Sequence, residues 1–182
     1  IAAAGSTGVK LGSYKFRATN DAVNLNRIGL TLTNTASSSS SDLTGITLKS
    51  GGNTIGTATF VGANTNATST LATPLLLAKD TDVVVDVYGD LANHGTSEAA
   101  APGALVAVDI DVNTNTQGTG VQSGSTINAT GSTAVSGVRV FKSFPTVAKQ
   151  TSGMSSTLVA QSGTTLYQFS VAANAKGDVS LN

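Results

Sequence analysis

Two stretches of the chain, "VVVDVYGDL" and "ALVAVDIDV", place an apolar residue at every second position. Successive side chains of a strand point to opposite faces, so this period makes one face dry and one wet. Wound as a helix, the same residues would be scattered around the axis. The alternation therefore commits the chain to burying sheet faces. It predicts Val83, Val85 and Val87 on one face of a strand, with Asp86, Tyr88 and Asp90 on the other. In the second stretch Val106, Val108, Ile110 and Val112 are expected inward, and Asp109 and Asp111 outward.

The alternation recurs along the chain, twice with a change of phase. In "VKLGSYKF" the apolar series of Val9 and Leu11 resumes out of step at Tyr14 and Phe16, which predicts a bulge or break near Gly12. In "VNLNRIGLTL" Val23 and Leu25 share one phase while Ile28, Leu30 and Leu32 take the other. "LTGITL", "TIGTATF" and "AVSGVRVF" supply further strands, giving about seven or eight before residue 142. Helical periodicity is absent; the best stretch, "LANHGTSEAAAPG", is interrupted by Gly95. The polar residues agree, since Glu98 is the only Glu and the surface is left to Thr, Ser, Asn and Gly. The fold class expected is all-β: an immunoglobulin-like antiparallel β-sandwich, with a jelly roll as second choice. The tracts "NTASSSSSD", "GANTNATSTLATP" and "NTNTQGTGVQSGSTINATGST" read as polar loops outside the core. Asn66 and Asn128 open N-x-S/T sequons in two of these tracts, so both are possible glycosylation sites.

Near its end the chain begins its opening again. Tyr14 and Phe16 of "YKF" have counterparts in Tyr167 and Phe169 of "YQF", 153 residues on. "VNLN", ending at Asn26, returns as "VSLN", ending at Asn182. An interval of this size is a domain rather than a solenoid repeat. The expected organisation is a sandwich over 1–141, a Pro/Ser/Thr linker over 142–162 and the opening strands of a second unit over 163–182. Leu166, Tyr167, Phe169, Val171, Val179 and Leu181 would form the assembly strand of that C-terminal extension. Isolated strands do not fold. Two answers are physically open: the stretch starts the next domain of a tandem polypeptide, or it donates a strand to a neighbouring subunit. Strand donation of this kind is heterologous and propagates into a fibre.

The junction "VRVFKSFPTV" and the aromatic-x-aromatic opening "LYQFSV" resemble those of tandem Ig-like β-sandwich repeat proteins of bacterial and archaeal cell surfaces. Valine-rich strand, basic residue, short proline linker and aromatic strand follow in that order. The resemblance implies a surface-layer, adhesin or filament protein, located outside the cell. It carries over no functional residue.

Chemistry has few candidates. Without Cys and with a single His, a transition-metal site is not expected. His94, between Asn93 and Gly95, reads as a solvated loop residue, and no nucleophile elbow accompanies it. Calcium is the one cofactor considered, with Asp86, Asp90, Asp109 and Asp111 as oxygen ligands. "GTGVQSG" lacks the lysine and helix of a phosphate loop. The charges cancel, which gives no field for nucleic acid or an anionic membrane, and no apolar run spans a bilayer. "IAAAGSTGV" lacks the basic start and apolar core of a signal peptide, so export would rely on a signal upstream or already removed. The function expected is non-enzymatic: an extracellular structural subunit that self-associates or sits among neighbouring domains of one polypeptide. A cell-surface adhesin or carbohydrate-binding module is the alternative.

Overall fold

The computed structural model describes residues 1–112, 114–151, 157, 163, 165, 167–174 and 176–180. Its strands, in chain order, are β1 (Ala2–Ala3), β2 (Val9–Arg17), β3 (Val23–Thr33), β4 (Leu43–Ser50), β5 (Asn53–Ala58), β6 (Asn66–Leu77) and β7 (Asp82–Leu91). There follow β8 (Leu105–Asp111), β9 (Gln117–Gly120), β10 (Thr126–Asn128), β11 (Val138–Phe141), β12 (Pro145–Lys149) and β13 (Phe169–Ala173). The only helical element among the described residues is one 3-10 turn, Ser40–Asp42. The protein is all-β, with two sheets packed over one core.

Strand β3 is the hub of the larger sheet. Along one edge it pairs antiparallel with β6. Along the other, Gly29–Thr33 pairs with β8 and Val23–Arg27 pairs with β9. β11 extends the sheet beyond β8, and β1 runs parallel to β11. The smaller sheet has the order β2-β7-β4-β5, all antiparallel. Ile28, Leu30, Val106 and Val108 from one sheet meet Leu48, Val85 and Val87 from the other, all seven essentially inaccessible to water. Each contributes about 1.5–3 kcal/mol by leaving water.

The phase changes in the sequence are irregularities in the ladders. The β2–β7 register slips between Lys10 and Gly12, and the β3 pairings slip between Leu25 and Arg27. Each extra residue lets the apolar series change parity while keeping its side chains in the core.

Other expectations are corrected. "NATSTLATPLLL", most of it read as a loop, is β6, the longest strand. Its threonines are β-branched, and Ser69, Leu71 and Leu77 turn inward where a strand needs them. Pro74 lies where Leu75 pairs with Leu25 but Arg27 pairs with Thr70, so it sits in the irregular part of the ladder. "NTQGTGVQSGSTIN" contains the short pair β9–β10. The serine tract enters the interior: Ser38, Ser40 and Asp42 are buried. Ser40 Oγ donates to Gly62 O, and Asp42 accepts from Ser39 N (2.7 Å) and Ala101 N (3.2 Å). Short polar side chains that bond nearby backbone can be buried without penalty.

Burial along β8 does not alternate. Asp109, expected outward, is buried. β11 pairs only with Leu105 and Val106, which leaves the rest of that edge of β8 without a strand. Side chains and the 132–137 segment take its place. Tyr14 Oη, reaching over from β2, donates to Val108 O and lies 3.4 Å from Asp109 Oδ1. Asp109 accepts from Val135 N (3.1 Å), and Thr133 Oγ1 donates to Ile110 O (3.0 Å). Burial, reinforced by the Asp109 charge, raises the Tyr14 phenol well above its usual pKa.

Candidate assembly site

The segment read as a linker contains a strand. β12 pairs antiparallel with β13, with Val147 opposite Val171 and Lys149 opposite Phe169. Residues of equal parity share a face, so Val147 lies with Phe169 and Val171 on one side, with Lys149 at its margin, and Thr146, Ala148, Ser170 and Ala172 lie on the other. This two-stranded sheet is amphipathic, and its apolar face is uncovered. Val147 is 67% exposed, Tyr167 61% and Phe169 55%. The Tyr167 and Phe169 rings lie tilted against each other, with centroids 6.0 Å apart.

Of the six residues expected in the assembly strand, Phe169 and Val171 lie in β13, and Tyr167 precedes it, exposed. Val179 is half-buried outside any strand. Leu166 and Leu181 lie outside the described residues. Two contacts tie the segment after β13 toward the sandwich end: Ser143 Oγ donates to Gly177 O (2.7 Å) and Lys176 Nζ to Gly5 O (3.0 Å).

The same motif has the opposite fate in β2. Tyr14 is buried with its hydroxyl bonded across the sandwich, and Phe16 packs against the core. The aromatic-x-aromatic opening is thus suited to closing a sandwich, and its second copy faces water.

The acids proposed as calcium ligands are not brought together. Asp86 holds Ser13 Oγ and Lys10 Nζ (2.9 Å), and Asp90 accepts from Gly8 N (2.8 Å), both on the smaller sheet. Asp109 is occupied by β8's edge, and Asp111 accepts from Asn115 Nδ2. Among the described residues no three His, Cys, Asp or Glu groups are placed to hold a metal ion. Instead, Lys10, Lys15 and Arg17 of β2 face Asp82 and Asp86 of β7 in a ladder of ion pairs. The Asp86 carboxyl is held below its usual pKa by Ser13 and then Lys10, and that of Asp82 by Lys15 and then Arg17. What these bonds add is present above the ordinary carboxylate range and is lost as pH falls through the lowered values. Being exposed, such pairs add little and mainly keep the strand face soluble.

"GTGVQSG" runs from β9 into the turn before β10, and Asp21 caps that turn. Its carboxylate accepts from Gln122 N (3.0 Å) and Ser123 N (3.1 Å), which lowers its pKa through the Ser123 bond first. Asn66 and Asn128 are exposed, at the start of β6 and the end of β10.

His94 corrects its sequence reading. It is 6% exposed, and neither ring nitrogen has a hydrogen-bond partner. A buried imidazole without partners loses water and gains nothing polar in exchange. His94→Leu, which keeps bulk and removes both nitrogens, is expected to hold or raise the melting temperature, while His94→Ala lowers it. Equal losses in the two variants, read by thermal denaturation, would show that the nitrogens do contribute.

A cavity of about 480 Å³ opens at the outer edge of β2. Tyr14–Asp21 form one wall; Leu25, Leu77, Ile110 and Val112 form its apolar floor, and Asn128–Thr130 with Thr133 its rim. Among the described residues no helix is long and apolar enough to cross a membrane. The chain matches no protein-family model, no curated protein and no solved structure.

Proposed function

We propose that the chain is a non-enzymatic structural β-sandwich repeat of a cell surface, joined to copies of itself in tandem or by strand complementation. The family reading is that of immunoglobulin-like sandwich repeats in surface layers, adhesins or filaments. One observation carries the proposal. The Tyr-x-Phe opening that closes the core at Tyr14 and Phe16 is repeated at Tyr167 and Phe169, running into an amphipathic strand pair whose Val147, Phe169 and Val171 are exposed. A surface of Ser, Thr and Asn with few charges suits a crowded extracellular array, and the exposed sequon asparagines are open to glycans. His94, the one imidazole, hydrogen-bonds no serine or carboxylate, which favours a structural reading over a hydrolytic one.

A chimera tests this reading directly. Because "VSLN" at 179–182 repeats "VNLN" at 23–26, residues 1–182 are fused to a second copy of residues 27–149. Two sandwiches are expected, with about twice the calorimetric unfolding enthalpy of the single chain and slow amide exchange at Tyr167 and Phe169. An added half that stays unfolded, with those amides exchanging freely, would end the repeat reading.

A further inference from the structure

The β12–β13 pair shows what the open edge of β2 is built to receive. β2 is the terminal strand of its sheet, paired with β7 alone. The Asp80 N–H donates to Ala18 O (2.7 Å) on the β7 side. Backbone groups alternate in direction along a strand, so those of Lys15 and Arg17 point away from β7, to the open edge. In the repeated copy the Gln150 N–H donates to Gln168 O (2.9 Å), so Gln168 and Ser170 direct their backbone toward β12. At the interval of 153 residues that relates Tyr14 to Tyr167, Gln168 and Ser170 are the counterparts of Lys15 and Arg17. The two strands therefore offer the same edge in the same phase. β13 has a partner on it; on β2 no described strand does, and the cavity lies there.

Side chains agree with the backbone. Val147 stands opposite Val171, whose counterpart is Ala18. Ala18 is buried and lines the cavity beside Phe16. A strand paired with β2 in the β12–β13 register thus points the Val147 side chain into the space between β2 and the apolar floor, and Thr146 and Ala148 outward.

We infer that this cavity is the seat of the Pro145–Lys149 strand of a second copy of the unit, which adds to the β2 edge and plugs the sandwich with Val147. The inference rests on the repeat reading above and names its contact. It is edge-strand addition: backbone hydrogen bonds supply attachment, and the pocketed side chain supplies register. It also gives the "SFPTV" junction a second role, since the strand that leaves one unit completes the next.

The test uses the full chain and a synthetic peptide of residues 143–151, SFPTVAKQT, titrated by NMR. Saturable shifts are expected at residues 14–18, Ile110 and Val112, with a rise in melting temperature from binding the native state alone. A peptide carrying Val147→Asp should bind about tenfold or more weakly, because it would bury a charge in an apolar seat. Arg17→Pro in the protein removes an N–H from the open edge and none from the β7 ladder, so it should abolish binding. If that variant fails to fold, the peptide series decides alone, since it leaves the protein unchanged. Absent saturation, shifts placed elsewhere, or equal binding of the Val147→Asp peptide each overturn the inference. Should the chimera fold as two sandwiches while the peptide fails, the repeat reading stands and only the seat is lost.

Discussion

Leu30→Ala should destabilise the protein by about 3–5 kcal/mol and lower its melting temperature by about 10 °C or more. Leu30 is wholly inaccessible, on the central strand of the larger sheet, between Ala67 of β6 and Ile110 of β8. Its neighbours are backbone-anchored on both sides and have little room to collapse into the hole, so the cost falls in the upper part of the range for such truncations. Phe169→Ala removes a larger side chain, yet in the isolated chain it should change stability by no more than about 0.5 kcal/mol, because Phe169 packs on no core. Denaturant melts of the two variants check both values. A large loss at Phe169 would mean that the β12–β13 pair already rests on the sandwich.

The second large effect is alkaline. Tyr14 holds the strandless edge of β8 through Val108 O, and its hydroxyl lies beside the buried Asp109. Tyr14→Phe leaves both acceptors short of a donor and should cost about 1–3 kcal/mol at neutral pH. The pH dependence has a definite sign. Burial raises the Tyr14 phenol above the ordinary tyrosine value of about 10, so the fold binds its proton more tightly than the unfolded chain does. The resulting stability is complete below that value and is lost as pH climbs toward the folded pKa. Wild-type protein should therefore lose stability more steeply than Tyr14→Phe above pH 10. Parallel slopes in the two proteins would show that ionisation of Tyr14 is not resisted by the fold.

The architecture was legible where alternation was strong. β7 could be read face by face from its valines and aspartates, and both bulges from the phase changes at Gly12 and around Asn26. What escaped the sequence shares one physical cause: burial decided by tertiary position. "NATSTL" has too few large apolar residues to announce a strand, and becomes one because β3 offers it a full edge. Asp109 obeys its alternation on the strand yet is covered by Tyr14 and the 132–137 segment, which no local pattern encodes. His94 and the serine tract look solvated because their residue types usually are. The candidate site was half legible. Repetition of Tyr-x-Phe pointed to the exposed strand, but the partner strand at Pro145 was hidden behind a residue that usually ends sheets, and the cavity had no sequence signal.

The placement of β1 has one more consequence. Residues 2–6 are clamped between the sheets' margins: Ala2 and Ala3 run parallel to Val140 and Phe141, Ala4 N–H bonds Phe141 O, Gly5 N–H bonds Ala92 O, and Ser6 O accepts from Leu91 N–H. The first and last strands of the sandwich thus lie side by side, pointing the same way. Tension applied to the two ends of the unit drags them past each other lengthwise. Their bonds are then sheared together instead of being peeled apart one after another, so the sandwich resists a pull on its two ends where those ends lie side by side.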